Sequence, residues 1–189
     1  VSQAYQVESR DTGDNQLDLY AIKSRPTSEV NQLEIVSVIP LAGEAQLRAA
    51  NQAYPQWILD RYLQLPEALP EQVHELARQI TQDQPTVYDK AKAIDTYLRG
   101  YSYSLEIPPP PDSGDISAYF LFEQKSGYCD YFATAMTVLA RSAGIPARLV
   151  IGYASGLYNS DEQRYIISAA DAHSWVEIYF PGIGWIEFE

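Results

Sequence analysis

Helical and strand-like patterns occupy separate parts of this chain, and that separation restricts the fold more than any other feature of the sequence. Four segments have the apolar spacing of amphipathic helices: residues 44–64, 65–83, 86–100 and 129–143. Four later segments are rich in β-branched and aromatic residues: 147–155, 163–171, 173–181 and 184–189. Helices followed by a meander of antiparallel strands indicate an α+β fold.

Proline, threonine and glycine mark where the helices begin and end. Pro55 interrupts the first helical segment, and Pro70 lies near the first turn of the second. Thr86 is the predicted N-cap of the third, because its side chain can accept a hydrogen bond from the first turn. Gly144, followed closely by Pro146, predicts a glycine-terminated end for the fourth.

Residues 1–40 have a different pattern from the rest of the chain. The stretches AYQVES, LDLYAIKS and QLEIVSVIP alternate like strands and are separated by polar turns. We therefore predict a small β-rich appendage over residues 1–43 and a larger core over residues 44–189.

The charge balance excludes several classes of partner. The chain has 189 residues and a formal net charge of −12. A surface of this sign repels phosphate backbones, so nucleic-acid binding is not expected. No apolar run approaches the roughly 20 residues that a membrane-spanning helix needs. The polar start VSQAYQVESR lacks the apolar region of a signal peptide, and we expect a soluble domain or a mature fragment.

The chain has one cysteine, Cys129, and two histidines, His74 and His173. A single cysteine can form neither an internal disulfide nor a Cys-rich zinc site. We predict no metal and no cofactor. Cys129 follows Gly127 and Tyr128 at the predicted start of a helix. Most free cysteines are small buried hydrophobes, but a helix N-terminus favours a thiolate, so a nucleophile is the alternative interpretation.

A cysteine nucleophile needs a base and a group that orients the base. His173 is the better candidate for the base because it begins a strand-like segment. His74 lies within a helix among charged residues and is interpreted as a surface residue. Spacing alone does not choose among the acids that could orient His173, which are Asp171, Glu177, Glu187 and Glu189.

Two long segments, GYCDYFATAMTVLARSAGIPARLVIGY and DAHSWVEIYFPGIGWIEFE, resemble the core of the transglutaminase-like superfamily. The shared pattern is a cysteine that opens a helix, GIPAR after that helix, AHAW before a strand, and GW followed by an acid. The resemblance covers roughly residues 85–189 and implies a papain-like α+β fold. The stretch YPQWILDRYLQLPEALP resembles one subgroup, the TgpA-type bacterial proteins, which are membrane-anchored and carry this domain outside the cytoplasm.

The resemblance implies roles for three residues: Cys129 as nucleophile, His173 as general base and acid, and Glu189 as the acid that orients the histidine. The family most often has aspartate at the last of these positions. Ser174 replaces the alanine of AHAW, a change that we do not expect to disturb the histidine. Asp130 is interpreted as structural: an acid favours a helix N-terminus, although its charge opposes a neighbouring thiolate.

The resemblance also implies an upstream aromatic side chain that stabilises the oxyanion together with the backbone N–H of Cys129. Tyr103 is the candidate, with Tyr101 and Tyr128 as rivals. Trp175 is predicted to be a core residue or a wall of the cleft that contacts the substrate.

These roles imply a cysteine-dependent acyltransferase or peptidase that acts on amide bonds of proteins or cell-wall peptides through a thioester. Hydrolysis and cross-linking both stay open. The partner is a protein or peptide substrate, and the parent protein is expected to be membrane-anchored with this domain outside the cytoplasm. The alternative is a catalytically silent domain that binds peptides or scaffolds an envelope assembly, against which the intact Cys129 and His173 argue.

Overall fold

The computed structural model of this chain describes residues 4–11, 17–25 and 40–189, which form two compact units divided after residue 39. In the first unit, strands β1 (Ala4–Asp11) and β2 (Leu17–Arg25) pair antiparallel, as their alternating patterns predict. The third predicted strand of this region, QLEIVSVIP, lies outside the described residues except for Pro40.

Four helices open the second unit: α1 (Glu44–Ala49), α2 (Gln56–Tyr62), α3 (Glu71–Thr81) and α4 (Val87–Leu98). The four helices lie within the three predicted segments, but residues 50–55 and 65–70 of those segments are not helical. Pro55 and Pro70 are the N-cap residues of α2 and α3. The Thr86 hydroxyl caps α4 by accepting a hydrogen bond from the Asp89 backbone N–H at 3.1 Å. His74, predicted to lie on the surface, is half-buried.

A short parallel pair and an unpredicted helical turn precede the cysteine helix. Strand β3 (Ser102–Tyr103) pairs with β4 (Ser126–Gly127). Between them lie α5 (Ile116–Tyr119) and a π-helical turn (Phe120–Gln124), which the sequence analysis did not predict. Asp115 caps α5 by accepting a hydrogen bond from the Ala118 N–H at 2.8 Å. Helix α6 (Cys129–Ser142) follows and ends before Gly144, whose φ of 74° confirms the predicted glycine-terminated end.

The strand-rich part of the chain forms two sheets rather than one meander. The main sheet has the order β5–β8–β9, all antiparallel, with β5 (Ala147–Tyr153), β8 (Ala172–Phe180) and β9 (Gly184–Phe188). Strands β6 (Leu157–Asn159) and β7 (Arg164–Ile166) pair only with each other. The prediction of a continuous meander is therefore wrong in this segment, because the chain leaves the main sheet after Tyr153 and rejoins it at Ala172.

The core of the second unit lies between α6 and one face of the main sheet. Val176 and Ile178 of β8 are buried in the same cluster as Ala135 and Leu139 of α6. Side chains alternate between the two faces of a strand, so Tyr179 lies on the opposite face, where it joins an aromatic cluster with Trp57, Tyr62 and Trp185. No helix among the described residues combines the length and apolarity that crossing a membrane requires.

Candidate active site

Cys129 is the first residue of α6 and is half-buried. Tyr128, the N-cap residue of α6, has an extended backbone conformation, and Gly127 before it is buried. A Cβ atom on Gly127 would stand 2.9 Å from Tyr131 Cβ, so the turn before the cysteine has room only for glycine. The N–H of Cys129 belongs to the first helical turn, whose amides have no intrahelical acceptor and can bind an anion.

His173 lies near the start of β8, and its Nε2 donates to Glu189 Oε1 at 2.7 Å. The pairing of Val176 with Phe188 places Glu189 one diagonal step from His173 on the same face of the sheet. The imidazole also stacks on Trp175, with a centroid separation of 6.1 Å and an interplanar angle of 20°. With Nε2 engaged by the carboxylate, Nδ1 is the ring nitrogen that is left to exchange a proton.

The other acids proposed as partners of His173 have different environments. Asp171 accepts hydrogen bonds from the Ser168 N–H at 2.7 Å and hydroxyl at 2.8 Å, and these lower the pKa of its carboxyl. Glu177 Oε2 lies 2.6 Å from Arg148 Nε. Glu187 pairs across the strands with Glu177 and is exposed. Strand register therefore selects Glu189, which the spacing of the sequence alone could not do.

Cys129, His173 and Glu189 line one cavity of about 180 Å³. Its remaining walls are mainly apolar and come from α4, α6, β8 and β9, including Leu98, Phe132, Met136, Val176 and Phe188. Within the described residues no hydrogen bond joins the Cys129 thiol to the imidazole. The thiol instead donates a weak hydrogen bond to Asp130 Oδ1 at 3.8 Å.

The three tyrosines proposed as oxyanion donors have different positions. Tyr103 lines the cavity and stacks on Phe132 with a centroid separation of 6.0 Å. Partial burial is the main cause that raises the pKa of Tyr103, while a hydrogen bond from the Cys129 backbone N–H opposes the rise. Tyr101 instead donates to the Leu121 carbonyl at 2.5 Å, and Tyr128 stacks edge-on against Tyr131. The pairing of β3 with β4 thus places Tyr103 beside Cys129.

Trp175 also lines the cavity, as predicted for a cleft wall, and its indole Nε1 is buried without a hydrogen-bond partner. The indole lies close to Gly152 on the neighbouring strand, where an added Cβ would approach Trp175 Cη2 to 3.0 Å. Gly152 pairs with His173 in the register of β5 and β8. A glycine at this position therefore lets the indole lie flat beneath the imidazole.

Three polar contacts at the site, one made by Ser174 and two made by Arg99, were not predicted from the sequence. Ser174 Oγ donates a hydrogen bond to Asp130 Oδ1. Arg99 donates from Nε to the buried Asp95 at 2.9 Å and from Nη2 to the main-chain oxygen of Glu189. The i, i+4 spacing of Asp95 and Arg99 in α4 was the available signal for the contact between these two residues. Only the serine in AHSW indicated the bond to Asp130, and no local pattern indicated the bond to Glu189.

No group of three or more histidine, cysteine, aspartate or glutamate side chains that could hold a metal ion occurs in residues 4–11, 17–25 and 40–189. The charged and titratable groups that line the cavity are the Cys129 thiol, the His173 imidazole, the Tyr103 phenol, the Arg99 guanidinium and the carboxylates of Asp95 and Glu189. A cysteine at a helix start that lines the same cavity as a histidine bonded to the acid after the next strand has the arrangement of a papain-like cysteine centre.

The chain belongs to the transglutaminase-like superfamily, whose family model matches residues 74–189. It is 49% identical over 137 residues to the uncharacterized protein YebA of Bacillus subtilis, which covers 69% of this chain and 19% of that protein. It is 33% identical over 129 residues to a protein-glutamine gamma-glutamyltransferase of Pseudomonas aeruginosa, which covers 68% of this chain and 19% of that enzyme. The chain thus spans about a fifth of the length of these relatives.

A solved structure gives the same result for the fold. The periplasmic domain of TgpA from Pseudomonas aeruginosa superposes with a TM-score of 0.66 at 31% sequence identity, over 72% of this chain and 48% of that one. The predicted α+β papain-like core and the family resemblance are confirmed. Members of this superfamily in general carry out cysteine-based acyl transfer.

Proposed function

We propose that this domain transfers the acyl group of an amide substrate through Cys129, with His173 as general base and acid and Glu189 as the residue that orients it. The observation that carries the proposal is the 2.7 Å bond between His173 and Glu189 at the rim of the cavity that Cys129 also lines. A carboxylate on Nε2 stabilises an imidazolium and leaves Nδ1 to take the thiol proton.

In the first half of the reaction, the Cys129 sulfur forms a bond to the amide carbon while His173 takes the thiol proton. The carbonyl oxygen becomes an oxyanion, and we assign its stabilisation to the Cys129 N–H and the Tyr103 hydroxyl, because both residues line the cavity. When the tetrahedral intermediate collapses, the carbon–nitrogen bond breaks and the nitrogen leaves with the proton from His173. The product is a thioester on Cys129.

In the second half, a nucleophile attacks the thioester and gives its proton to His173. Water yields a carboxylic acid, and an amine yields a new amide. The thiolate that leaves recovers the proton from the imidazolium. The name of the Pseudomonas relative, protein-glutamine gamma-glutamyltransferase, supports a glutamine side-chain amide of a protein or peptide as the acyl donor.

We further propose that the domain belongs to a membrane-anchored protein and lies outside the cytoplasm. The similarity to a domain described as periplasmic supports this location. Protease treatment of intact spheroplasts that carry the parent protein should degrade the domain. Protection until the membrane is lysed would contradict this location.

The activity is tested with a blocked glutaminyl-glycine dipeptide, by measuring ammonia release in water and hydroxamate formation with added hydroxylamine. We expect both products from the wild-type chain and neither from Cys129→Ala. His173→Ala should lower both rates by on the order of 10²-fold or more, the usual contribution of a general base. His74→Ala is the matched control, because this histidine lies in α3 away from the cavity lining, and it should leave both rates unchanged.

The ratio of the two products separates hydrolysis from cross-linking. Preferential hydroxamate formation at low hydroxylamine concentration would favour an amine acceptor, and ammonia release without hydroxamate would favour water. Equal product rates for wild type and His173→Ala would contradict the proposed role of His173. Absence of both products from the wild-type chain would favour a binding domain.

A further inference from the structure

A hydrogen bond joins the strand that carries His173 to the helix that carries Cys129. Ser174 follows His173 on β8, and Asp130 follows Cys129 in the first turn of α6. The Ser174 hydroxyl donates to Asp130 Oδ1. The residues directly after the proposed base and the proposed nucleophile are therefore bonded to each other across the site.

Burial makes this bond necessary for Ser174. Its side chain is 4% exposed and lies on the face of β8 that also carries the core residues Val176 and Ile178. A hydroxyl buried on an apolar face is destabilising unless it has an acceptor. Asp130 is exposed, yet its carboxylate supplies that acceptor. This hydrogen bond therefore links α6 to β8.

The same carboxylate oxygen contacts the nucleophile. Asp130 Oδ1 accepts the hydrogen bond of Ser174 and also lies 3.8 Å from Cys129 Sγ. A carboxylate held by Ser174 keeps one position beside the thiol, whereas a free carboxylate on the exposed start of a helix would adopt several rotamers.

We infer that Ser174 is a positioning residue: through its hydrogen bond to Asp130 it holds the first turn of α6, and with it the Cys129 thiol, in place opposite His173. The inference rests on the proposed function. It gives Asp130 a role beyond its favourable charge at the helix N-terminus. The helix dipole favours an acid at this position but does not require that acid to bond to a residue on β8.

The test uses the whole 189-residue chain and iodoacetamide, and Cys129 is its only cysteine, so alkylation reports on this one thiol. Second-order rate constants are measured from pH 5 to pH 9 for wild type and each variant. The other charged or titratable groups lining the cavity are Asp95, Arg99, Tyr103 and Glu189, and they are common to all variants. The pH–rate profile is a readout that a loss of stability alone does not move.

Two variants at Asp130 form the matched pair. Asp130→Asn and Asp130→Ala both remove the charge, but only asparagine keeps an oxygen that can accept the Ser174 hydrogen bond. We expect Asp130→Asn to react about three- to tenfold faster at pH 6 than Asp130→Ala, the range that one ordinary hydrogen bond spans. Because residue 130 is exposed, both variants should fold even if Ser174→Ala does not.

Ser174→Ala should lower the rate at pH 6 by about the same three- to tenfold in the wild-type background and should have no effect in the Asp130→Ala background. Equal rates for Asp130→Asn and Asp130→Ala would overturn the inference. The inference would also be overturned if Ser174→Ala kept the wild-type pH–rate profile while His173→Ala lowered the alkylation rate sharply. If His173→Ala itself leaves the profile unchanged, the proposed function fails, which is a separate outcome.

Discussion

His173 Nε2 lies 2.7 Å from Glu189 Oε1, although the two residues are 16 positions apart and only His173 lies within a strand, with Glu189 directly after β9. The family most often has aspartate where this chain has glutamate. The longer side chain still reaches the imidazole, because strand register brings it one diagonal step from the histidine. Glu189 is the residue directly after β9, so the end of this strand sets the position of the acid.

Removing the charge of this acid should slow the reaction. Glu189→Gln replaces a charge-assisted hydrogen bond, which contributes about 1.5–3 kcal/mol, and should lower kcat on the blocked glutaminyl dipeptide by on the order of 10- to 100-fold. Glu189→Asp keeps the charge on a shorter side chain and should retain more activity than Glu189→Gln. Wild-type kcat in Glu189→Gln would show that the carboxylate does not orient the base.

The Tyr103 hydroxyl should contribute to the rate but not to the fold. Tyr103→Phe keeps the ring that stacks on Phe132, so the melting temperature should change little. Loss of an oxyanion donor should lower kcat by on the order of 10²-fold, with KM nearly unchanged.

Tyr101→Phe is the control for this prediction. It removes the hydrogen bond to the Leu121 carbonyl, so it should lower the free energy of unfolding by about 0.5–1.5 kcal/mol and leave kcat intact. If kcat is lost in Tyr101→Phe and kept in Tyr103→Phe, then Tyr101 rather than Tyr103 supplies the hydrogen bond to the oxyanion.

A side chain at residue 127 should destabilise the protein. In Gly127→Ala the new Cβ would stand 2.9 Å from Tyr131 Cβ and 3.2 Å from Phe120 Cε2, and neither contact is with the free end of a flexible side chain. The backbone before Cys129 must then shift, at a cost of about 1–3 kcal/mol in the free energy of unfolding measured with urea. Gly43→Ala is the matched control, since its Cβ would meet only Gln46 Oε1 at 4.0 Å. Equal losses in the two variants would contradict the steric explanation.

Tyr54 should make the fold sensitive to alkali. Its hydroxyl is buried without a partner, and burial raises the pKa of Tyr54 from 10.0 to about 12. The unfolded chain therefore releases this proton first, so the free energy of unfolding falls as the pH rises from 10.0 to about 12 and does not respond to Tyr54 below that window.

Tyr54→Phe removes both effects. It should raise the free energy of unfolding at pH 8 by about 1 kcal/mol, since an unsatisfied buried hydroxyl is lost, and its advantage over wild type should grow above pH 10. Urea titrations at pH 8 and pH 10.5 measure both quantities. A destabilised variant at pH 8 would show that the hydroxyl has a partner in solution.

The helices and their ends could be predicted from the sequence, because they depend on residues a few positions apart. Thr86 caps α4 and Gly144 ends α6 as their local patterns require, and the alternation in β8 follows from a two-residue period. The π-helical turn at residues 120–124 was not predicted, because its form depends on the packing of Phe120 and Leu121 into the core rather than on local spacing.

Some residues of the candidate site could likewise be predicted from the sequence, and others could not. Cys129 and His173 could be proposed from their local context together with a family pattern, since Cys129 opens α6 and His173 lies at the start of β8. Only the tertiary structure selected Glu189 from four acids and joined Ser174 to Asp130, because both contacts depend on the register of β8 with β9 and on how α6 packs against β8. Such contacts between residues distant in the chain arise when the core packs, and no local pattern specifies them.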